Sequence, residues 1–375
     1  MLPYVLLMFV PLLFTIFATS KKALGVKHGS TLLIGTDEHI RNNSLLIPVF
    51  FLMLIVILSL RDELIGNDTG GYRRFFESYS AMSLRQVMAN TSDILYWLLN
   101  WLVGQFTRDF QVFLAVVAVI TVAPIASVYG KDREHGFLKC VLFMNMTVFI
   151  MLFSGLRQSV ALAMGMVAYE YVVRKKPLRF LLFALIAFGF HHSAFIILLY
   201  YPLCHFTFKR RHLWFVIPAV LAVFIFNKPI FTFAAQAMNS VFGEKYDGET
   251  TETGAYAMLI LFAIFTVFAY VLPDEKLMDK ETLGQRNLLL MALVLQCFAP
   301  VHVLAMRLNY YFIIFIPVLI PKILKYHKRS LKKLTIASQV VMIGFFVLYY
   351  LINTYESCKT GISDLNTYPY IPFWK

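Results

Sequence analysis

Apolar runs long enough to cross a lipid bilayer follow one another along most of the chain. A membrane-spanning helix needs about 20 apolar residues, because the hydrocarbon core is about 30 Å thick and each helical residue rises about 1.5 Å. Ten such runs are present, at 2–19, 43–60, 110–129, 137–153, 156–173, 213–227, 255–272, 287–303, 308–325 and 334–352. Since lipid satisfies no backbone hydrogen bonds, the runs predict an all-α, polytopic transmembrane helical bundle.

The composition leaves no long polar region for a separate soluble domain. Hydrophobic residues make up 59% and charged residues 15% of the 375 residues. We therefore predict one membrane-embedded domain over 1–375, with outer loops at 61–109 and 228–254, each carrying an aromatic-rich interfacial helix. In a signal peptide the basic residues precede the apolar run, whereas Lys21 and Lys22 follow the run 2–19, and no clear cleavage site is present. We therefore interpret this run as a retained span with an outer N-terminus.

The orientation of the bundle depends on the stretch 178–206, which is too long for one ordinary span and is interrupted by His191 and His192. Cytoplasmic loops are enriched in lysine and arginine. A hairpin or re-entrant pair at 178–206 places 23 of the 34 basic residues inside, whereas a single crossing places only 16 inside. The hairpin is therefore predicted, with its tip and both chain termini outside. The net charge of +13 then reflects topology and does not indicate a nucleic-acid partner.

Two arginines lie at membrane depth on the predicted outer side. Arg157 and Arg307 each stand at the start of a helix that runs inwards. The N–H groups and dipole at a helix N-terminus favour anions, and the planar guanidinium matches phosphate oxygens. Together with the two histidines at the hairpin tip, they predict an outward phosphate-binding cavity. The alternative is that both arginines are interfacial side chains that extend to lipid headgroups.

The other polar residues on this side also have two interpretations. Asp68 is either a general base or the N-cap of a helix that carries Tyr72. His191 and His192 are either alternative bases or structural hydrogen-bonding residues at a helix break. The four cysteines are scattered without CxxC or CxxH spacing, and no DxD-type or histidine-rich cluster appears. We therefore predict no metal and no cofactor.

Taken in order, these motifs resemble the EpsG family of Wzy-like bacterial exopolysaccharide and O-antigen polymerases. The resemblance rests on the residues of 61–72, then on "DILYWLLNWL", "SGLRQSVALA", "FHHSAFI", "RLNYYF" and "YPYIPFW", and it covers most of the chain. The matching positions are Arg61, Gly66, Asp68, Tyr72, Arg157, Gln158, His191, His192, Arg307 and Tyr311.

The resemblance implies a GT-C-like glycosyltransferase in the bacterial inner (cytoplasmic) membrane, with its active site facing the periplasm or the cell exterior. It would join undecaprenyl-diphosphate-linked oligosaccharide repeats into a surface polysaccharide, such as O-antigen, capsule or exopolysaccharide. Membrane lipids, a chain-length regulator and a flippase are the other expected partners. The linkage to diphosphate is already activated, which agrees with the absence of a GxxxxGK[ST] phosphate loop in the sequence.

The predicted roles follow from this chemistry. Arg61, Arg157 and Arg307 would bind the substrate diphosphate; Asp68 is the first choice for the base, with His191 or His192 second; and Tyr72, Gln158 and Tyr311 would support the site. Two rival functions remain open. A transporter or flippase of polyprenyl-linked sugars would use the same outward arginines, and a polysaccharide O-acyltransferase would use a membrane histidine.

Overall fold

The computed structural model describes residues 1–23, 45–90, 92–132, 135–206, 208–242 and 255–375. Regular secondary structure in these ranges is helical, and strand-like pairing is limited to two isolated bridges, Arg61 with Pro372 and Pro273 with His327. The predicted all-α class is therefore confirmed.

Contacts divide the chain into two compact units. Unit 1 comprises Met1–Ile197 and Ala337–Lys375, and unit 2 comprises Leu198–Ile336. The helices of unit 1 are α1 (Leu2–Ala23), α2 (Leu46–Ser59), α3 (Thr69–Ala81), α4 (Leu84–Met88), α5 (Ile94–Gly104), α6 (Phe110–Tyr129), α7 (Gly136–Asn145), α8 (Thr147–Ser154), α9 (Leu156–Val173) and α10 (Pro177–Phe190). Those of unit 2 are α11 (Tyr200–His205), α12 (Leu213–Ile225), α13 (Asn227–Phe242), α14 (Tyr256–Val271), α15 (Lys280–Gln296), α16 (Val303–Ile313) and α17 (Ile316–Lys325). The last helix, α18 (Lys332–Thr360), begins in unit 2 and continues in unit 1.

Several of these helices are apolar enough to cross a membrane. Among the described residues, α6 and the 32-residue segment Arg329–Thr360 each have the required length and hydropathy, and up to five spans result if each of three bent helix pairs counts as one. Shorter apolar helices of 10–17 residues, such as α2, α10 and α14, fall below this length. The helices are consistent with a membrane bundle. The number of ten spans plus a hairpin, the single domain and the GT-C-like architecture stay predictions.

Some of the predicted runs differ in detail from the observed helices. The run 137–153 forms α7 and α8, which are bent by 63° at Met146. At this break the side-chain amide of Asn145 donates to the carbonyl oxygens of Val141 and Phe346. The run 287–303 becomes α15, which begins earlier because Asp279 caps it by accepting a hydrogen bond from the Thr282 N–H at 2.7 Å.

Helices α9 and α10 form the helical hairpin that organises unit 1. Only three residues connect them, and one of these, Lys175, adopts a left-handed conformation with φ of 53°. Pro177 occupies the first turn of α10. The two helices have 18 and 14 residues and are therefore about 27 and 21 Å long. Because they are antiparallel neighbours of similar length, the start of α9 and the end of α10 lie at the same end of the hairpin.

The break predicted at the two histidines is present. Helix α10 ends at Phe190, His191 is extended with φ of −157° and ψ of 123°, and a 3-10 helix follows over His192–Leu199. Helix α5 packs against both α3 and α10. An apolar core that includes Tyr72, Trp97 and Val160 joins α3, α5 and α9. Because α5 packs against α10, Asp93, the residue that precedes α5, lies near the histidines.

The C-terminal segment closes over the loop between α2 and α3. The Phe373 N–H donates to the Leu60 carbonyl oxygen, the Asp62 N–H to that of Ile371 and the Gly66 N–H to that of Asn366. The Tyr370 hydroxyl donates to the Ile57 carbonyl oxygen at 2.9 Å. Backbone hydrogen bonds to the C-terminal segment therefore hold the loop that leads to Asp68.

Candidate functional site

Arg157 is the second residue of α9 and forms an ion pair with Asp93, which precedes α5. The Arg157 Nη1 donates to the Asp93 Oδ2 over 2.7 Å. The Asp93 side chain is 1% exposed, whereas 30% of the Arg157 side chain remains exposed. A buried carboxylate thus binds one edge of a partly exposed guanidinium. This arrangement differs from an interfacial arginine whose partners are lipid headgroups alone.

Asp93 adopts a left-handed backbone conformation, with φ of 53° and ψ of 35°. Its carbonyl oxygen accepts hydrogen bonds from the Tyr96 and Trp97 N–H groups, so it begins α5 through its backbone. An aspartate at a helix start commonly caps that helix with its side chain, yet here the carboxylate makes no cap. Aspartate tolerates the left-handed conformation better than most residues. Its carboxylate lies at the start of α9 and at the C-terminal end of α10 instead.

Both histidines contact the same carboxylate. The His191 Nδ1 lies 3.4 Å from the Asp93 Oδ2, and the His192 Nδ1 lies 3.3 Å from the Oδ1. The His192 backbone N–H also donates to Oδ1, at 3.0 Å. Asp93 therefore binds three side chains and one backbone group, and it joins the start of α9 to the break after α10.

The charge state of Asp93 follows from these contacts. Burial by itself raises the pKa of a carboxyl group, but the hydrogen bonds from His191 and His192 and the charge of Arg157 outweigh it and hold the pKa of Asp93 well below its ordinary value. Asp93 is thus an anion over the whole physiological pH range, and it favours positive charge on the groups around it.

Aromatic rings surround the guanidinium. The Arg157 Cζ lies 5.4 Å from the centre of the Trp97 ring and 5.9 Å from that of the Tyr72 ring, within the range of cation–π attraction. The Trp97 Nε1 donates to the Ser92 carbonyl oxygen at 2.9 Å, which fixes the ring in place. The Arg157 Nε is buried and has no hydrogen-bond partner in the part of the chain that the structure describes. Tyr72 therefore contacts the guanidinium, and its supporting role stays a prediction. The exposed part of the Arg157 side chain leaves surface for a ligand.

Asp68 lies outside this cluster. It occupies the N-cap position of α3, but its side chain makes no capping hydrogen bond. Instead the Ser154 hydroxyl donates to the Asp68 Oδ2, and the Asp68 N–H donates to the Ser154 Oγ, both at 3.3 Å. Asp68 is exposed. It connects the start of α3 to Ser154, the last residue of α8. The next residue, Gly155, is the N-cap of α9, the helix that carries Arg157.

Arg61 is 1% exposed beneath the C-terminal segment. Its Nη1 donates to the Leu58 carbonyl oxygen, and its Cζ lies 6.0 Å from the centre of the Phe153 ring. Burial lowers the pKa of Arg61 to about 10, which leaves it charged at neutral pH. Its predicted contact with a diphosphate stays a prediction. In the structure Arg61 also pairs with Pro372 of the C-terminal segment through the backbone.

The remaining predicted residues are distributed between the two units. Gln158 is buried beside Arg157 in α9 of unit 1. Arg307 is exposed in α16 of unit 2. Tyr311, in the same helix, is fully buried, and its carbonyl oxygen accepts a hydrogen bond from the Tyr200 hydroxyl. The roles predicted for these three residues stay predictions.

A metal ion is the other ligand to consider at Asp93. Asp93, His191 and His192 hold potential donor atoms within 4.8 Å of one another. The Asp93 Oδ2, however, is already engaged by the Arg157 cation at 2.7 Å, and a fixed positive charge at that distance opposes a second cation. We assign the cluster no metal, and the absence of a metal stays a prediction.

The family assignment rests on most of the chain. The EpsG family profile matches residues 44–371. This chain belongs to the EpsG family. The family is associated with a polysaccharide-polymerase role of the glycosyltransferase type, with lipid-linked oligosaccharides as substrates, and with membranes. The matched EpsG range includes the whole Asp93 cluster, Asp68 and Arg307. No curated protein matches the chain, and no solved structure does.

Asp93 is the site residue that the sequence analysis missed. The signal available was an aspartate directly before the apolar run 94–104, which predicts no more than a helix cap. The quoted EpsG motif "DILYWLLNWL" begins with this residue. Its function as the common partner of Arg157 and the histidines depends on contacts with residues 64 to 99 positions away.

Proposed function

We propose that this protein polymerises oligosaccharide repeats carried on undecaprenyl diphosphate into a bacterial surface polysaccharide, at the outer face of the cytoplasmic membrane. The observation that supports this most directly is the Arg157–Asp93 pair with two histidines on the same carboxylate. It provides a cation for a diphosphate and titratable groups for an acceptor hydroxyl within one site of a membrane protein.

The reaction exchanges one bond for another at the anomeric carbon of the donor. The acceptor hydroxyl oxygen forms a bond with that carbon, and the bond from the carbon to the diphosphate oxygen breaks. The electron pair of the broken bond remains on the leaving lipid diphosphate, and the hydroxyl proton passes to a base. No external energy source is needed, because the diphosphate is an activated leaving group.

Arg157 is suited to the charge that develops on the leaving group. Guanidinium groups carry five N–H donors. The contact with Asp93 engages one at Nη1, Tyr72 is a second side-chain partner, and 30% of the Arg157 side chain stays exposed. The position in the first turn of α9 adds the helix dipole. Donors that are fixed before the reaction stabilise a developing oxyanion without reorganisation.

Purified protein in proteoliposomes, supplied with undecaprenyl-diphosphate-linked repeats, tests the proposal. We expect polymer longer than one repeat, together with released undecaprenyl diphosphate in proportion to the linkages formed. A matched preparation of Arg157→Ala should release little or none. Intact repeats with no diphosphate released by the wild-type protein would contradict the proposal.

The same experiment separates the two rivals. A flippase would move the labelled repeats across the bilayer and leave their length unchanged. An O-acyltransferase would add an acyl group from a supplied donor and likewise leave the length unchanged. In cells, a polymerase predicts that a deletion strain shows single repeats but no long chains on a polysaccharide gel, and that the restored gene recovers the ladder.

A further inference from the structure

We propose that His192 is the general base of this site and that Asp93 and His191 are positioning residues. The inference rests on the proposed glycosyl transfer and assigns its proton transfer to one side chain. It replaces Asp68, the first choice from the sequence, and it includes Asp93, which the sequence analysis had not assigned to the site.

The contact between His192 and Asp93 determines which ring nitrogen is available for a substrate. An ionised carboxylate accepts hydrogen bonds but donates none. The His192 Nδ1, 3.3 Å from the Asp93 Oδ1, therefore carries the proton of the neutral ring on that side. The other nitrogen, Nε2, then has a free lone pair, which is the form that a general base requires.

Two contacts to one oxygen hold His192 in place. Its backbone N–H donates to the Asp93 Oδ1 at 3.0 Å, so that the backbone and the ring of one residue share an acceptor. The residue stands at the start of the 3-10 helix, after the extended His191. The ring is thereby oriented by a buried anion, and that anion also stabilises the imidazolium formed when the proton arrives.

Exposure distinguishes the two histidines. The His192 side chain is 42% exposed, whereas that of His191 is 12% exposed. The His191 Nδ1 lies 3.4 Å from the oxygen that also binds Arg157, and the two imidazole rings lie 4.7 Å apart. His191 thus packs against both the carboxylate and the second ring, while His192 is the ring that an acceptor sugar can reach.

Among the described residues, the shared Asp93 carboxylate brings charged and titratable groups to the His192 ring. Asp93 faces it from the start of α5, His191 from the end of α10 and Arg157 from α9, through the shared carboxylate. In the proposed step the acceptor O–H bond breaks, its oxygen bonds to the anomeric carbon, and the proton moves to the His192 Nε2. The diphosphate leaves with the electron pair, and the imidazolium later releases its proton to water.

Exposed Asp68 lacks these features. Its carboxylate accepts from the Ser154 hydroxyl, and its neighbours include neither histidine among the contacts that the structure describes. Its hydrogen-bond partner among the described residues is Ser154, and no buried charged group there orients it towards a substrate hydroxyl. The geometry therefore favours His192 over Asp68 as the residue that takes the proton.

The test replaces each histidine by asparagine in otherwise intact protein. The asparagine amide N–H lies close to the position of Nδ1–H, so His192→Asn keeps a donor to Asp93 and loses only the base. We expect kcat to fall by about 100- to 10,000-fold with little change in KM, and activity of His192→Ala to be partly rescued by added imidazole. His191→Asn should lose less, and His205→Asn, which alters an exposed histidine of unit 2, should change neither constant.

The outcomes separate the inference from the proposed function. If wild-type protein makes no polymer, the proposed function fails. If the wild type is active and His192→Asn keeps at least half of its kcat, or if His191→Asn loses more than His192→Asn, the assignment of His192 is overturned and the function stands. Loss of wild-type activity in a chelator, with recovery on adding Zn²⁺ or Mn²⁺, would also overturn it in favour of a metal site at Asp93.

Discussion

The Arg157 guanidinium and the Asp93 carboxylate, 64 residues apart in the chain, meet through a hydrogen bond of 2.7 Å from Nη1 to Oδ2. One partner is almost completely buried and the other is partly exposed. The buried anion therefore anchors the arginine at one edge of its guanidinium, and the two rings of Trp97 and Tyr72 flank it. A cation held in this way is preorganised for the phosphate contact that we propose.

Arg157→Lys should separate a phosphate ligand from an interfacial charge. Lysine keeps the positive charge but lacks the planar fork of donors that bridges a carboxylate and a diphosphate. We expect activity per folded protein to fall by roughly 10- to 1,000-fold, as for the loss of a transition-state contact. Polymer formation on purified lipid-linked repeats measures this. Arg73→Lys is the matched control, since Arg73 is exposed and pairs with Glu63 and Glu77. Full activity of Arg157→Lys would rule out the role.

Asp93→Asn should alter the dependence of stability on pH. The pKa of Asp93 lies well below its ordinary value in the folded protein, whereas the unfolded chain has a value of about 3.9. A carboxyl group with a lowered pKa contributes its full stabilisation above that unfolded value and loses it as the pH falls further.

At neutral pH we expect Asp93→Asn to reduce the free energy of unfolding by about 1 to 3 kcal/mol, because the Arg157 cation loses its buried partner. Between pH 5 and pH 3 the melting temperature of the wild type should fall more steeply than that of the variant. Thermal unfolding in detergent measures both. Parallel curves for the two proteins would show that the pKa of Asp93 is the same in the folded and the unfolded protein, which contradicts the lowered value.

Asp68→Asn should leave most of the activity intact. Asparagine retains a side-chain oxygen that accepts from the Ser154 hydroxyl, and it is as good a residue at a helix start as aspartate. We expect kcat within about threefold of the wild type, which would agree with a base elsewhere. The assay is polymer formation on purified repeats. Abolished polymer, with normal amounts of folded protein, would instead identify Asp68 as the base.

Gly66→Ala should destabilise the loop that precedes α3. Gly66 has a φ of +90°, and an added Cβ would lie 2.1 Å from the Phe153 carbonyl oxygen. Gly70→Ala is the matched control, because its Cβ meets nothing within 4 Å, and alanine is favoured in a helix by about 0.5 to 1 kcal/mol. We expect Gly66→Ala to lower the melting temperature and Gly70→Ala to leave it unchanged or raise it. Equal melting temperatures would contradict the close approach of this loop to Phe153.

The sequence by itself determined the helical class, because apolar runs in lipid leave the backbone no other way to satisfy its hydrogen bonds. It also predicted the break after Phe190 and the start of a helix beside Arg157, since both are marked locally by a change from apolar to polar residues. These features depend on periodicity and on neighbours within one or two turns of helix, which the linear order of residues contains.

Only the tertiary structure decided which carboxylate contacts Arg157 and the two histidines. Asp68 and Asp93 both precede a helix, and by sequence each is a candidate N-cap. The packing of α5 against α10 brings Asp93 to the histidines, whereas the approach of α3 to the end of α8 pairs Asp68 with Ser154. These contacts depend on how helices distant in sequence pack together, and on a left-handed backbone at Asp93 that no local pattern specifies.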